Sequence, residues 1–155
     1  MSKTLINDCK NVKHPLLFKQ YMAYIESAEK ISSLRSSANN YLLAINSVII
    51  GLYGFFTDKE KPSLGLLLLF FAGILVCYMW RRIVSSYRDI NTVKFKVIHE
   101  LEQHMPAQIY AYEWREAEEG KGKSYAPISH LERVVPLIFM GLYVLLAVFC
   151  LWQRY

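Results

Sequence analysis

The sequence predicts an all-α membrane protein: three transmembrane helices, with two long helices extending into a cytoplasmic helical hairpin stalk. Three observations predict it. Ala38–Thr57, Leu64–Trp80 and Val134–Trp152 are apolar stretches, and a bilayer core needs about 17 to 20 such residues in a helix. Amphipathic segments precede the first stretch and follow the second, with apolar residues every three or four positions. Only Asp58–Ser63 joins these two halves, and so short a connection makes antiparallel neighbours.

Residues 1–14 are polar and contain no apolar core of a signal peptide, so the first span is expected to act as the targeting signal. Pro15 suits the first turn of a helix. Leu17, Tyr21, Tyr24, Ala28 and Ile31 then mark one apolar face, and no Gly or Pro separates this face from the first span. The first long helix is therefore expected over 15–57, with its span at 38–57. The second is expected over 64–105, with its span at 64–80. Beyond the membrane its apolar arc continues through Ile83, Tyr87, Ile90, Val97, Ile98, Leu101 and Met105, until Pro106 stops it. Each long helix would measure about 60 Å at 1.5 Å per residue. Within 106–133, Ala107–Glu119 reads as a short helix with Ile109, Tyr110 and Trp114 on one side, and Gly120–Lys123 as a flexible break. The third span, 134–152, carries Pro136 in its first turn and leaves an external tail at 153–155.

Pairing the long helices about their turn sets residue i near residue 121 − i, within a few positions. Leu17, Tyr21, Tyr24 and Ile31 would then pack against Ile83, Tyr87, Ile90, Val97 and Leu101 to hold the stalk. Asn39 and Asn40 would lie near Arg81 and Arg82, and Glu26 and Glu29 near Lys94 and Lys96. Lys94 sits in the middle of the apolar arc. A buried lysine is costly without a partner, so Glu26 or Glu29, of the same or a neighbouring subunit, is expected to pair with it. The competing reading is a lysine that snorkels at the arc's edge.

Charge sets the expected topology. Lys30, Arg35, Arg81, Arg82, Arg88 and Arg133 flank the spans on one side, whereas the charges of the first hairpin cancel. The positive-inside rule then places the N-terminus and the segment between spans two and three in the cytoplasm, and the C-terminus outside. The net charge of +5 is distributed for this role and not for nucleic acid. At 155 residues the chain is expected to form one domain. Three spans make a thin bundle, which favours a homo-oligomer in membrane lipid. The three cysteines, Cys9, Cys77 and Cys150, have no metal-type spacing and read as small apolar filler.

Arg35, Asn39 and Asn46 share one face of the first helix, with Asn40 adjacent. Such side chains within a membrane face protein or a water-filled cavity. They either bond across helices and fix register or line a pore. Ala44, Ser47, Gly51, Gly54, Gly65, Ala72 and Gly73 permit close helix approach in either case. Tyr53, Phe55, Phe56, Tyr78, Trp80, Trp152 and Tyr155 read as the aromatic belt. No catalytic, cofactor or metal site emerges. Gly120-Lys-Gly-Lys-Ser124 lacks the first glycine of a phosphate loop and has no preceding strand. His99 and His104 face different ways, Glu100 with His104 reads as a solvated pair, and Glu113, Glu116, Glu118 and Glu119 form a solvated acidic run.

Several segments together carry a resemblance. They are Arg35-Ser-Ser-Ala-Asn39-Asn40 with Asn46, Trp80-Arg-Arg-Ile-Val-Ser-Ser-Tyr87-Arg-Asp-Ile-Asn91, Lys94-Phe-Lys-Val-Ile-His-Glu-Leu-Glu102, Met105-Pro106 and Glu113-Trp114. Over roughly Arg35–Trp114 the chain resembles the RipA family of small octameric bacterial inner-membrane proteins. The resemblance implies a bacterial inner membrane, a homo-octamer and a loose link to stress adaptation, and implies no reaction. The layout also resembles small membrane effectors of bacterial conflict systems. The expected function is a non-enzymatic scaffold or interaction assembly in stress adaptation or defence, with a cytoplasmic protein partner that the sequence does not identify. The alternative is an ion channel or membrane-permeabilising effector, its pore lined by Arg35, Asn39, Asn40 and Asn46.

Overall fold

The computed structural model describes residues 14–56, 64–117 and 129–154. Four helices account for nearly all of them: α1 (His14–Phe56), α2 (Leu64–Glu102), α3 (Ile109–Glu116) and α4 (Ser129–Arg154). The N-terminal segment with Cys9, the 58–63 hairpin, the Gly120–Ser124 stretch and Tyr155 lie outside the described residues.

Helix α2 ends at Glu102, ahead of the expected stop. The amides of His104 and Met105 close turns onto the carbonyls of Leu101 and Glu102, each at 3.1 Å. Pro106 disfavours helical backbone at Met105 and has no N–H of its own. Helix α4 begins at Ser129, so Pro136 falls inside the helix instead of in its first turn. There it leaves the carbonyl one turn earlier without its usual amide partner.

Contacts divide the chain into two compact units where length alone suggests one domain. The first draws on Met1–Leu34 and Tyr87–Pro127, the second on Arg35–Ser86 and Ile128–Tyr155. Helices α1 and α2 are long enough to supply both.

In the first unit α1 and α2 are antiparallel. Tyr21 meets Glu102, Ser27 meets Lys94 and Ser32 meets Asn91, all within two positions of the 121 − i register. Leu17, Tyr21, Ile25 and Ala28 pack against Ile98 and Leu101, with Tyr24, Phe95, Val97, Met105 and Tyr110 around them. Ile90 does not join this core and is 45% exposed. It lies eight residues before Ile98, which rotates it about 80° away from the buried stripe at 100° per residue.

In the second unit α2 buries Phe70, Gly73, Cys77, Trp80 and Val84, a strict alternation of three- and four-residue steps. Tyr143 and Cys150 of α4, seven residues apart, join Phe70 and Cys77 in the core, with Ile49, Ile50 and Tyr53 of α1 beside them. At Gly73 the Tyr143 ring of α4 lies close against α2: a Cβ there would lie 2.6–2.9 Å from it.

Among the described residues two helices are long and apolar enough to cross a membrane: α2, and α4 over Glu132–Gln153. The expected span on α1 carries Asn39, Asn40 and Asn46 in its apolar run.

Candidate functional site

The second unit is organised around Asn46, which is fully buried. Its Nδ2 donates to the Leu42 carbonyl at 2.7 Å within α1. Its Oδ1 accepts from Tyr143 Oη of α4 at 2.9 Å and from Cys77 Sγ of α2 at 3.1 Å. The Tyr143 hydroxyl also approaches the Asn46 backbone carbonyl, at 3.2 Å. One amide therefore joins three helices with its polar atoms satisfied, as an apolar surrounding demands. The Tyr143 ring lies flat enough against Gly73 to leave no room for a methyl group.

Two further bridges belong to the same unit. Trp80, fully buried, donates its indole N–H to Asn39 Oδ1 at 2.9 Å. Arg35 Nε lies 3.3 Å from Glu132 Oε2, an ion pair between α1 and α4. Its angles fall short of a hydrogen bond. Arg35, Asn39 and Asn46 are thus turned inward to α2 or α4. Asn40 is exposed on α1.

The first unit has its own polar centre in Glu102, also fully buried. Tyr21 donates to Glu102 Oε1 at 2.9 Å. The backbone amides of Tyr110 and Ala111 donate to Oε1 and Oε2, each at 2.9 Å. These amides belong to the first turn of α3, whose N-cap residue Gln108 makes no side-chain capping bond. Glu102 caps α3 from outside that helix, where a negative charge also meets the positive end of the helix dipole. Burial, the bond to Glu102 and the carboxylate's charge raise the Tyr21 hydroxyl pKa above the ordinary tyrosine value, which keeps it a neutral donor.

Lys94 has neither Glu26 nor Glu29 as a partner within the chain. Its Nζ donates to Ser27 Oγ at 2.7 Å and sits 4.7 Å from the centre of the Tyr24 ring. The register explains this, since Ser27 is the residue directly opposite, while Glu26 and Glu29 point outward and are exposed. Asn91 Nδ2 reaches Ser32 Oγ at 3.3 Å and leaves its Oδ1 buried without a partner.

Sequence reasoning overlooked Tyr143, Glu102 and Glu132. Tyr143 is a lone hydroxyl in the middle of the third apolar stretch. Glu102 closes the motif Glu100-Leu-Glu102 just before a proline, a position where a carboxylate usually faces water. Tyr143 carries a faint clue, a hydroxyl in an apolar run that needs a partner, whereas Glu102, amid polar neighbours, carries none.

Among the described residues no group of three or more His, Cys, Asp or Glu side chains gathers into a metal-binding cluster. The arrangement can hold helices together through buried hydrogen bonds. No curated protein and no solved structure matches the chain at a significant level. The profile of the octameric membrane protein family (8xMP) matches residues 18–152. With a bilayer-length apolar α2 and α4, a polar centre built to live among apolar helices, and a family match along nearly its whole length, the chain belongs to the octameric membrane protein family.

Proposed function

We propose that this chain builds a non-enzymatic homo-octameric assembly in the bacterial inner membrane, serving as a scaffold or interaction platform in stress adaptation or defence. In this reading α1 supplies a third span, and the first unit forms a stalk in the cytoplasm that is open to a protein partner. Basic residues flanking the spans support that orientation. One observation carries the reading: Asn46 and Asn39 are consumed in bonds between helices of one chain. Side chains spent in this way fix register and are not free to coordinate a passing ion.

A second reading, a channel or permeabilising effector, draws on a different set of residues. Asn40, Ala44, Ser47, Gly51 and Gly54 recur every three or four positions on α1, and all are exposed. A Cβ at Gly51 or Gly54 would meet nothing within 4 Å. A polar, small-residue stripe can pack against another copy or border a water-filled path. Membrane potential and dye entry during overexpression decide between the readings. The scaffold predicts an unchanged potential. Depolarisation by the wild-type chain that disappears in Asn40→Leu/Ser47→Leu, at equal membrane levels, would replace it with the channel.

A further inference from the structure

Among the described residues the first unit has two uncovered sides, and they are complementary. On α1, Phe18, Met22, Glu26, Glu29 and Ser33 are all exposed. At 100° per residue they form one stripe, roughly 60–140° round from the core-facing Tyr21. This stripe pairs two apolar side chains with two carboxylates. On α2, Ile90 and Val93 are 45% and 52% exposed, and Lys96 is exposed beside them. Ile90 and Val93 lie roughly 80–140° from the core-facing Ile98, in the opposite rotational sense. Because α1 and α2 are antiparallel, a common sense of rotation on the two helices leads to one side of the pair. Opposite senses therefore place the two stripes on opposite sides.

The α2 side also holds Lys94. Among the described residues its partners are a serine hydroxyl and an aromatic ring, both uncharged. Among the described residues no carboxylate lies within ion-pair distance of it. A half-buried ammonium in that setting is costly without a counter-charge.

We propose that the α1 stripe of one copy docks on the α2 side of the next, where the neighbouring copy's Glu26 and Glu29 pair with Lys94 and Lys96. The proposal rests on the homo-octameric reading. Copies related by rotation about a common axis keep equal heights along that axis. The register sets Lys94 level with Ser27, hence between the heights of Glu26 and Glu29, and the acids flank the ammonium. Ile90 falls near the height of Ser33. Two different faces that meet head to tail can close a ring when the rotation between copies divides a full turn, whereas a face that meets itself stops at a dimer.

The test uses the full chain purified in detergent or nanodiscs. Oxidation of Ser33→Cys/Ile90→Cys is expected to give a covalent ladder extending to eight copies, with neither single variant giving bands beyond the wild-type pattern. Glu26→Lys/Glu29→Lys is expected to lose the octamer by native mass spectrometry. Adding Lys94→Glu/Lys96→Glu is expected to restore it, which separates a broken contact from a broken fold. A wild-type octamer whose double-cysteine variant gives no ladder overturns the docking alone. So do covalent dimers from either single variant, and so does an octamer that survives the acid-to-lysine changes. A wild-type chain that is not an octamer overturns the octameric reading together with the docking.

Discussion

Each unit is tied together by one buried polar side chain that accepts a tyrosine hydroxyl, yet the two differ in charge. In the second unit Asn46 receives Tyr143 and Cys77 and joins α1, α2 and α4. In the first, Glu102 receives Tyr21 and two backbone amides and joins α1, α2 and α3. The neutral amide sits among apolar residues of α2 and α4, the two helices of bilayer-length apolar character, and the carboxylate sits at the C-terminal end of α2, which the proposed topology puts outside the membrane. A charge in hydrocarbon costs far more than an amide. Outside it, the same charge strengthens every bond it accepts and complements a helix N-terminus. In that topology a common design, one acceptor shared by three helices, takes its chemistry from the solvent around it.

The comparison can be broken most severely at its charged end. Glu102→Ala strands a tyrosine hydroxyl and two helix amides, and should cost the first unit about 3 kcal/mol. Chemical denaturation of the purified chain would register it, with limited proteolysis showing α3 cut first. Next comes the close approach beneath the neutral hub. Gly73→Ala places a methyl group 2.6–2.9 Å from the Tyr143 ring and should destabilise the second unit by about 1–3 kcal/mol through overpacking. Gly54→Ala, whose Cβ meets nothing in the chain, serves as its control in the same thermal melt.

Tyr21→Phe sharpens the comparison further, at about 1.5 kcal/mol for a bond to a charged acceptor. The raised Tyr21 pKa adds a pH dependence. Folding favours the protonated phenol, so this stabilisation is complete below the unfolded value near 10 and is lost as pH rises beyond it. An alkaline titration of stability should flatten in Tyr21→Phe. The smallest effect belongs to Tyr143→Phe, about 0.6 kcal/mol, because a hydrogen bond among membrane helices is worth little net. Steric trapping in bicelles can resolve it, and a loss equal to that of Tyr21→Phe would erase the distinction between the hubs.

Much of this arrangement can be read from residue order. The absence of Gly or Pro between Pro15 and the first apolar stretch foretells an uninterrupted α1, and the shortness of the connection foretells the antiparallel register that sets Ser27 against Lys94. The same register names Glu26 and Glu29 as neighbours of Lys94 but not the direction in which they point. A rotation of about 100° per residue moves a side chain from the core to the surface within one position, and Ile90 is misplaced for the same reason. Asn46 stands out in the sequence because an amide inside an apolar run demands a partner. Its partner Tyr143 does not, because tyrosines in such runs commonly mark the membrane interface. Glu102 is hidden because its burial depends on a chain reversal: the turn before Pro106 brings α3 back onto α2, a tertiary event with no local signature.

Glu102 is at once the last residue of α2, the cap of α3 and the acceptor for α1. These elements therefore share a single opening event. Fraying the end of α2 withdraws the cap from α3 and the acceptor from Tyr21 together, so α3, only eight residues long and too short to persist alone in water, lives and melts with the helix pair as one cooperative foldon.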